Sequence, residues 1–131
     1  MPNDTASELL HLNQRLLDSI AHGDWATYGE LCDPSLSAFE PEALGHLVEG
    51  MDFHHFYFKL NAGHVKPQNT MCGPHVRLMG DVAVIAYYRL TQGVDDQGQP
   101  YSKGTEETRV WQRKDGRWSH VHFHRSPSQR G

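Results

Sequence analysis

The hydrophobic pattern of this 131-residue chain changes its period near residue 70. Before that point apolar residues recur every three or four positions, as in amphipathic helices. After it they alternate with polar residues, as in half-buried strands. Because the helices come first and the strands follow as a run joined by short turns, the pattern predicts an α+β fold. We expect a curved antiparallel sheet wrapped on a long N-terminal helix, which gives a cone with a pocket at its open end.

A capping box begins the first predicted helix. In Thr5-Ala6-Ser7-Glu8 a threonine is followed three residues later by a glutamate, and these two side chains can satisfy the free N–H groups of a first turn. Leucines then recur at helical spacing, with Asn13 on the polar face. Gly23 favours the left-handed conformation that ends a helix. The sequence therefore predicts a helix of about four turns.

Two shorter helices are predicted next. Asp24 caps the second helix, and Asp33-Pro34 ends it because the residue before a proline avoids the helical region. A short extended segment covers residues 35–39. Asp52 then caps a third helix, which runs from Phe53 to about Leu60.

Four strands are predicted in the second half, separated by turns that contain Gly and Asp. They span residues 69–72 continuing as 75–79, 82–92, 102 or 105 to 113, and 118–126. Arg89 lies on the same face of its strand as Ile85 and Tyr87. On the last strand, Arg125 shares a face with Phe123. Burying an arginine is costly unless it is paired, so both positions require a counter-charge.

The register of the last hairpin decides which face Arg109 takes. We predict a three-residue loop, Lys114-Asp115-Gly116, because this sequence suits a type I turn followed by a left-handed glycine bulge. In that register Arg109 lies opposite Val121 and shares a face with Arg125, with Glu107 between them. A slip of one residue would turn Arg109 to the other face.

Arginines that face one apolar pocket have two interpretations. They can bind a carboxylate or another anion through charge-assisted hydrogen bonds. Alternatively, each arginine is neutralised by an acid at a subunit contact, and Glu106, Glu107 and Asp81 are the candidates. The pattern leaves both interpretations open.

Histidines alternate along the last strand. His120, His122 and His124 are predicted on the face opposite Arg125. Two histidines in this spacing can hold zinc, whereas a polar sheet face can instead form hydrogen bonds to a helix or to another subunit. Since no acid or cysteine completes a ligand set, we predict no metal site. No motif predicts a cofactor.

Charge and composition argue against several partners. The net charge is −4 and no basic run is present, so we expect neither nucleic acid nor a membrane as a partner. Apolar stretches are far shorter than the roughly 20 residues of a transmembrane helix. Cys32 and Cys72 form no C-x-x-C motif, which with the polar N-terminus predicts a reduced, cytoplasmic protein. The length predicts one domain over residues 1–131, with an ordered core at about 5–126.

Several long stretches carry a likeness to a known family. They are residues 32–54, 74–81 (PHVRLMGD), 86–92, 106–118 (EETRVWQRKDGRW) and 121–126. Through them the chain, over about residues 6–126, resembles the association (hub) domain of calcium/calmodulin-dependent protein kinase II. That domain belongs to the nuclear transport factor 2-like, SnoaL-like superfamily of cone-shaped, cystatin-like folds.

The resemblance implies that the chain assembles with copies of itself. Domains of this family form dimers, which close into two-layered rings. We expect Trp111, Trp118 and the histidine-rich strand face to provide the contact between copies. The chain carries none of the protein kinase motifs, so the resemblance does not imply kinase activity.

The resemblance also implies a pocket for small carboxylates. The arginines that line this pocket in the family match Arg89, Arg109 and Arg125, and a histidine matches His54. The family likeness therefore favours an anion site among the two interpretations of the arginines.

Two other functions compete with the hub. Related cones catalyse isomerase, dehydratase and cyclase reactions with an acid or a histidine in the pocket, and His54, Glu107 and Tyr87 would then be acid–base candidates. A scaffold that binds another chain is the third function. We favour a homo-oligomeric hub without catalytic residues. Its predicted ligand-binding residues are Arg89, Arg109, Arg125, His54, Tyr87 and Glu107.

Overall fold

The three helices precede the last four strands, as predicted, but two short strands lie between the second and third helices. The structure is a computed structural model that describes residues 4–60 and 66–128. Its helices are α1 (Asp4–His22), α2 (Trp25–Leu31) and α3 (Asp52–Leu60), and a 3₁₀ helix spans Pro41–Ala43. Its strands are β1 (Cys32–Phe39), β2 (Val48–Glu49), β3 (Gln68–Met79), β4 (Val82–Val94), β5 (Pro100–Lys114) and β6 (Arg117–Pro127). The predicted α+β class is confirmed.

The six strands form one sheet in the order β2-β1-β6-β5-β4-β3. Neighbouring strands are antiparallel except β1 and β6, which are parallel. The prediction of an antiparallel sheet is thus confirmed except at the pair β1–β6. Helix α2 ends at Leu31 and the chain enters β1 at once, so Asp33-Pro34 lies inside the strand. The β1–β6 register is interrupted between Cys32 and Ser37, where proline's missing N–H is tolerated.

Helix α1 packs on the inner face of the sheet. It begins at Asp4, one residue before the predicted cap Thr5, and Gly23 follows its end with a φ of 65°. Asn13, predicted on the polar face, is completely buried. Its side chain accepts a hydrogen bond from Trp111 Nε1 at 3.0 Å, so the amide joins the helix to β5.

The β5–β6 hairpin differs from the prediction in two ways. Its turn contains two residues, Asp115 and Gly116, and both have positive φ values, 53° and 76°. A bulge at Val121 then shifts the register by one residue. Arg109 therefore lies opposite Phe123 rather than Val121. Because the two differences together amount to two residues, the predicted face of Arg109 is correct.

The bulge also divides the histidines of β6. His120 lies opposite Trp111 on the core side and is completely buried, whereas His122 and His124 stay on the outer face. The prediction that all three share one face is wrong for this reason. Trp111 and Trp118 are buried as well, so neither can provide the contact between copies that the sequence predicted.

Candidate functional site

A cavity of about 780 Å³ lies between the C-terminal part of α1, helix α3, the 3₁₀ helix and the inner face of β4 to β6. Arg89, Arg109, Arg125 and His54 line it. The other two predicted residues, Tyr87 and Glu107, lie behind the cavity wall, where they contact the arginines. The structure therefore brings the six predicted residues together but gives them different positions.

Glu107 is the centre of the buried charges. Its side chain has no exposure, and its Oε2 atom lies 2.8 Å from Arg89 Nε. Oε1 accepts hydrogen bonds from Arg109 Nη2 at 3.1 Å and from the Tyr87 hydroxyl at 2.6 Å. Thr105 Oγ1 donates to Oε2 at 3.1 Å. Burial favours protonation of this carboxyl, but the two arginines and these hydrogen bonds outweigh it and lower its pKa to about 2.

Arg109 is held on all sides. Its Nε atom donates to the Tyr87 hydroxyl at 2.9 Å, and its guanidinium stacks on Phe123, with 4.4 Å between the guanidinium carbon and the ring centre. Nη1 lies 3.4 Å from Nε2 of His120, whose burial holds its pKa well below the usual range. A guanidinium only donates, so His120 Nε2 is the acceptor and its proton is on Nδ1, 3.4 Å from Cys32 Sγ. Arg109 therefore has few donors left for a ligand.

Arg89 is less well satisfied. Its Nε atom is buried beside Glu107 but makes no hydrogen bond within the described part of the chain, because the close ion pair has the wrong angle for one. Burial lowers the pKa of Arg89, and Glu107 only partly offsets this effect. Two guanidinium groups thus share one carboxylate at the base of the cavity.

Arg125 meets a different acid at the edge of the cavity. It forms a close ion pair with Glu42 of the 3₁₀ helix, and about a third of the Glu42 side chain is exposed. Burial favours protonation of Glu42, but Arg125 outweighs it and lowers the pKa of this carboxyl. The predicted acids Glu106 and Asp81 do not line the cavity. Asp81 pairs with Arg113 instead, and Glu106 is exposed.

His54 and Glu40 form the remaining polar wall. His54 Nδ1 lies 3.8 Å from Glu40 Oε1, and its Nε2 atom is buried without a hydrogen-bond partner among residues 4–60 and 66–128. Burial, together with the charges of Arg109 and Arg125, lowers the pKa of His54 to about 4. Burial raises the pKa of Glu40. The imidazole is therefore neutral near pH 7.

Sequence reasoning missed Glu40 and Glu42. Both lie in a stretch without helical or strand periodicity: Glu40 follows β1 directly, and Glu42 is in the 3₁₀ helix. The signal that could have identified them is the short motif Glu-Pro-Glu after an apolar strand end. Proline fixes the backbone between the two acids, and a turn after a buried strand brings both toward the mouth of a cone.

The geometry does not favour acid–base catalysis. Glu107 is ionised with each oxygen already in contact with donors, and burial raises the pKa of Tyr87 to about 12. A histidine with a pKa near 4 is a weak proton acceptor at neutral pH. Burial likewise raises the pKa of the Cys32 thiol to about 12, so this cysteine is a poor nucleophile.

Two absences hold for the part of the chain that the structure describes. No cluster of three or more histidine, cysteine, aspartate or glutamate side chains there could hold a metal ion. None of the described helices is long and apolar enough to cross a membrane.

Comparison with known proteins identifies close relatives. The profile of the family described as calcium/calmodulin dependent protein kinase II association domain matches residues 5–129. The chain is 52% identical over 124 residues to calcium/calmodulin-dependent protein kinase type II subunit delta of Oryctolagus cuniculus. This match covers 92% of the chain but only 23% of that relative.

Solved structures agree with the sequence matches. The hub homology domain of this kinase from Chlamydomonas reinhardtii is 50% identical, with a TM-score of 0.90 over 96% of this chain and 100% of that one. The association domain from C. elegans is 45% identical, with a TM-score of 0.86 over 93% and 95% of the two chains. A putative dehydratase of the NTF2-like family from Streptomyces avermitilis is 19% identical with a TM-score of 0.81 and shows a shared fold alone.

Proposed function

The chain belongs to the calcium/calmodulin dependent protein kinase II association domain family, and from that membership we propose that it is a hub that assembles with copies of itself. Identities of 50% and 45% to solved structures described as a hub homology domain and an association domain support this proposal. A cytoplasmic location is part of the proposal, in keeping with the two free cysteines.

The outer face of the sheet is our candidate for a contact between copies. Register pairs align Arg77, Val84, Val110 and His122 in one row across β3, β4, β5 and β6. The two valines are adjacent and only half-buried. His122 Nδ1 lies 2.7 Å from Ser37 Oγ, so the row continues onto β1. A continuous surface with an apolar centre and a polar rim is the composition that subunit interfaces favour.

We further propose that the cavity binds a small carboxylate or another anion. The observation that carries this proposal is that Arg89 and Arg109 both line the cavity while they share one carboxylate, Glu107. A buried positive charge without full compensation is costly, and an anion in the cavity beside Arg89 would supply the missing negative charge.

The self-assembly proposal is tested by light scattering. We expect a solution mass of at least two chains at micromolar concentration. A dimer without larger species would exclude the ring but keep self-association, and a monomer would exclude both.

The anion proposal is tested by melting curves with millimolar acetate and butyrate. Ligand that binds the native state raises the melting temperature, and Arg89→Gln is expected to remove this increase. Arg77→Gln is the matched control, because Arg77 is an exposed arginine on the outer face. If neither carboxylate changes the wild-type melting curve, the cavity does not bind such ligands.

A further inference from the structure

Two carboxylates pair with the arginines of the cavity, and their surroundings differ. Glu107 pairs with Arg89 and Arg109, whereas Glu42 pairs with Arg125. Glu107 has no exposed side-chain surface and contacts groups on both β4 and β5. Its removal from the arginines would leave a buried carboxylate and two buried guanidinium groups unpaired, which is prohibitively costly. Glu107 is therefore a permanent part of the cavity wall.

Glu42 has none of these constraints. It lies in the three-residue 3₁₀ helix, and the N-cap residue before that helix, Glu40, makes no capping hydrogen bond through its side chain. Arg125 is the side-chain partner of Glu42 among the described residues. The turn ends at Leu44, which is 87% exposed and has a φ of 54°. The Glu42 side chain is also 36% exposed, so rotation of this side chain alone would take its carboxylate from Arg125 into water.

Glu42 also occupies a donor that an incoming anion needs, Nη2 of Arg125. Arg109 is consumed by internal contacts, so the arginines that a ligand can reach are Arg89 and Arg125. A tethered carboxylate competes at an effective concentration on the order of millimolar. A free monocarboxylate at lower concentration would therefore find Nη2 of Arg125 already paired.

We propose that Glu42 is an internal competitor for the ligand carboxylate at Arg125, so that a ligand engages Arg125 only when Glu42 is released. This inference rests on the proposed anion-binding function and adds the residue that sets its affinity. It makes Glu42 of the 3₁₀ helix, together with the arginines, a determinant of how tightly a carboxylate binds.

The experiment measures the Kd of acetate and butyrate by calorimetric titration for the wild type, Glu42→Gln, Arg125→Ala and the double variant. Glu42→Gln is expected to lower the Kd about three- to fivefold, the range for loss of a partly exposed ion pair. In the Arg125→Ala background the same substitution is expected to have no effect, because no occupied donor remains to be freed.

Glu40→Gln is the matched control. It removes one carboxylate from the same cavity wall without freeing Arg125. Two outcomes would overturn the inference: the control has the same Kd as Glu42→Gln, or Glu42→Gln still lowers the Kd without Arg125. Either would show that removing any nearby negative charge strengthens binding. An unchanged Kd in Glu42→Gln overturns it while the anion function stands. If neither the wild type nor any variant binds acetate or butyrate, the proposed anion-binding function itself is wrong.

Discussion

Arg89 reaches diagonally from β4 to Glu107 on β5, and 2.8 Å separate its Nε atom from the Glu107 carboxylate. The same carboxylate serves Arg109, so one buried acid compensates two buried bases. The interior of the cone consequently depends on the ionised form of a single side chain.

Glu107→Gln should therefore be strongly destabilising at neutral pH. It leaves two buried guanidinium groups without a counter-charge, and loss of one partner of a buried ion pair costs about 3–5 kcal/mol. Urea denaturation measures the effect, with Glu106→Gln as the control, because Glu106 is the exposed neighbour on the same strand. A loss below about 1 kcal/mol for Glu107→Gln would contradict this view of the cavity.

The Glu107 carboxylate also predicts that stability depends on pH in the acid range. The Glu107 pKa is about 2 in the folded chain and 4.5 in the unfolded chain. A carboxyl with a lowered pKa contributes stability that is complete above pH 4.5 and is lost as the pH falls toward 2. The difference between wild type and Glu107→Gln should therefore decrease over that interval, and a constant difference would be the contrary result.

His54 predicts a second loss of stability on acidification, which begins at a higher pH than that of Glu107. Its pKa is about 4 when folded and 6.5 when unfolded, so between these values the unfolded chain binds a proton that the folded chain does not. Stability should fall as the pH drops from 6.5 to 4, by roughly 3 kcal/mol from this residue.

The test compares wild type with His54→Gln in urea at several pH values and at one protein concentration, since assembly also stabilises the folded state. Buried His120 contributes a change of the same sign in both proteins, because its pKa is lowered as well. The variant should therefore show a shallower slope, not a flat one. Identical slopes would show that His54 is not protonated on unfolding in this range.

Asn13 predicts a cost that the sequence pattern does not suggest. Asn13→Ala removes the acceptor of the buried Trp111 N–H, and an unsatisfied buried donor costs about 1–3 kcal/mol. This loss should appear in urea denaturation even though alanine favours the helix more than asparagine does. His11→Ala, at an exposed position of α1, is the control and should change stability by less than about 0.5 kcal/mol. Equal effects of the two substitutions would contradict the role of Asn13.

Val110→Arg tests the outer face as a subunit contact. The substitution places a long charged side chain beside Val84 and should lower the mass measured by light scattering. Leu78→Arg introduces the same group at a 41% exposed position of the edge strand β3 and should leave the mass unchanged. If Val110→Arg assembles like the wild type, the contact lies elsewhere.

Periodicity is a local property, and it predicted the elements that depend on local sequence. The leucines of α1 and the alternation in β3 to β6 are such patterns. The β1–β6 pair was missed because it joins distant segments, and Asn13 because its partner lies on another element.

In the β5–β6 hairpin the prediction was wrong about the turn and missed the bulge, yet it assigned Arg109 to the correct face of the sheet. Asp115 adopts a positive φ that a three-residue loop would not need, and aspartate tolerates it better than most residues. No glycine or proline lies at the bulge at Val121, so the sequence carries no signal that predicts it. Arg109 was assigned to the right face because these effects add to an even number of residues.

The parallel pairing of β1 with β6 has a consequence for how the chain folds. Residues 32 and 120 meet across this pair although 88 positions separate them. Hairpins β3 to β6 need only short loops to close, whereas β1 must close a loop that contains nearly the whole remaining chain, and such closure is slow. Glu40 and Glu42 follow directly after β1. The acidic wall of the cavity is therefore formed by the contact that the chain's topology makes slowest to reach.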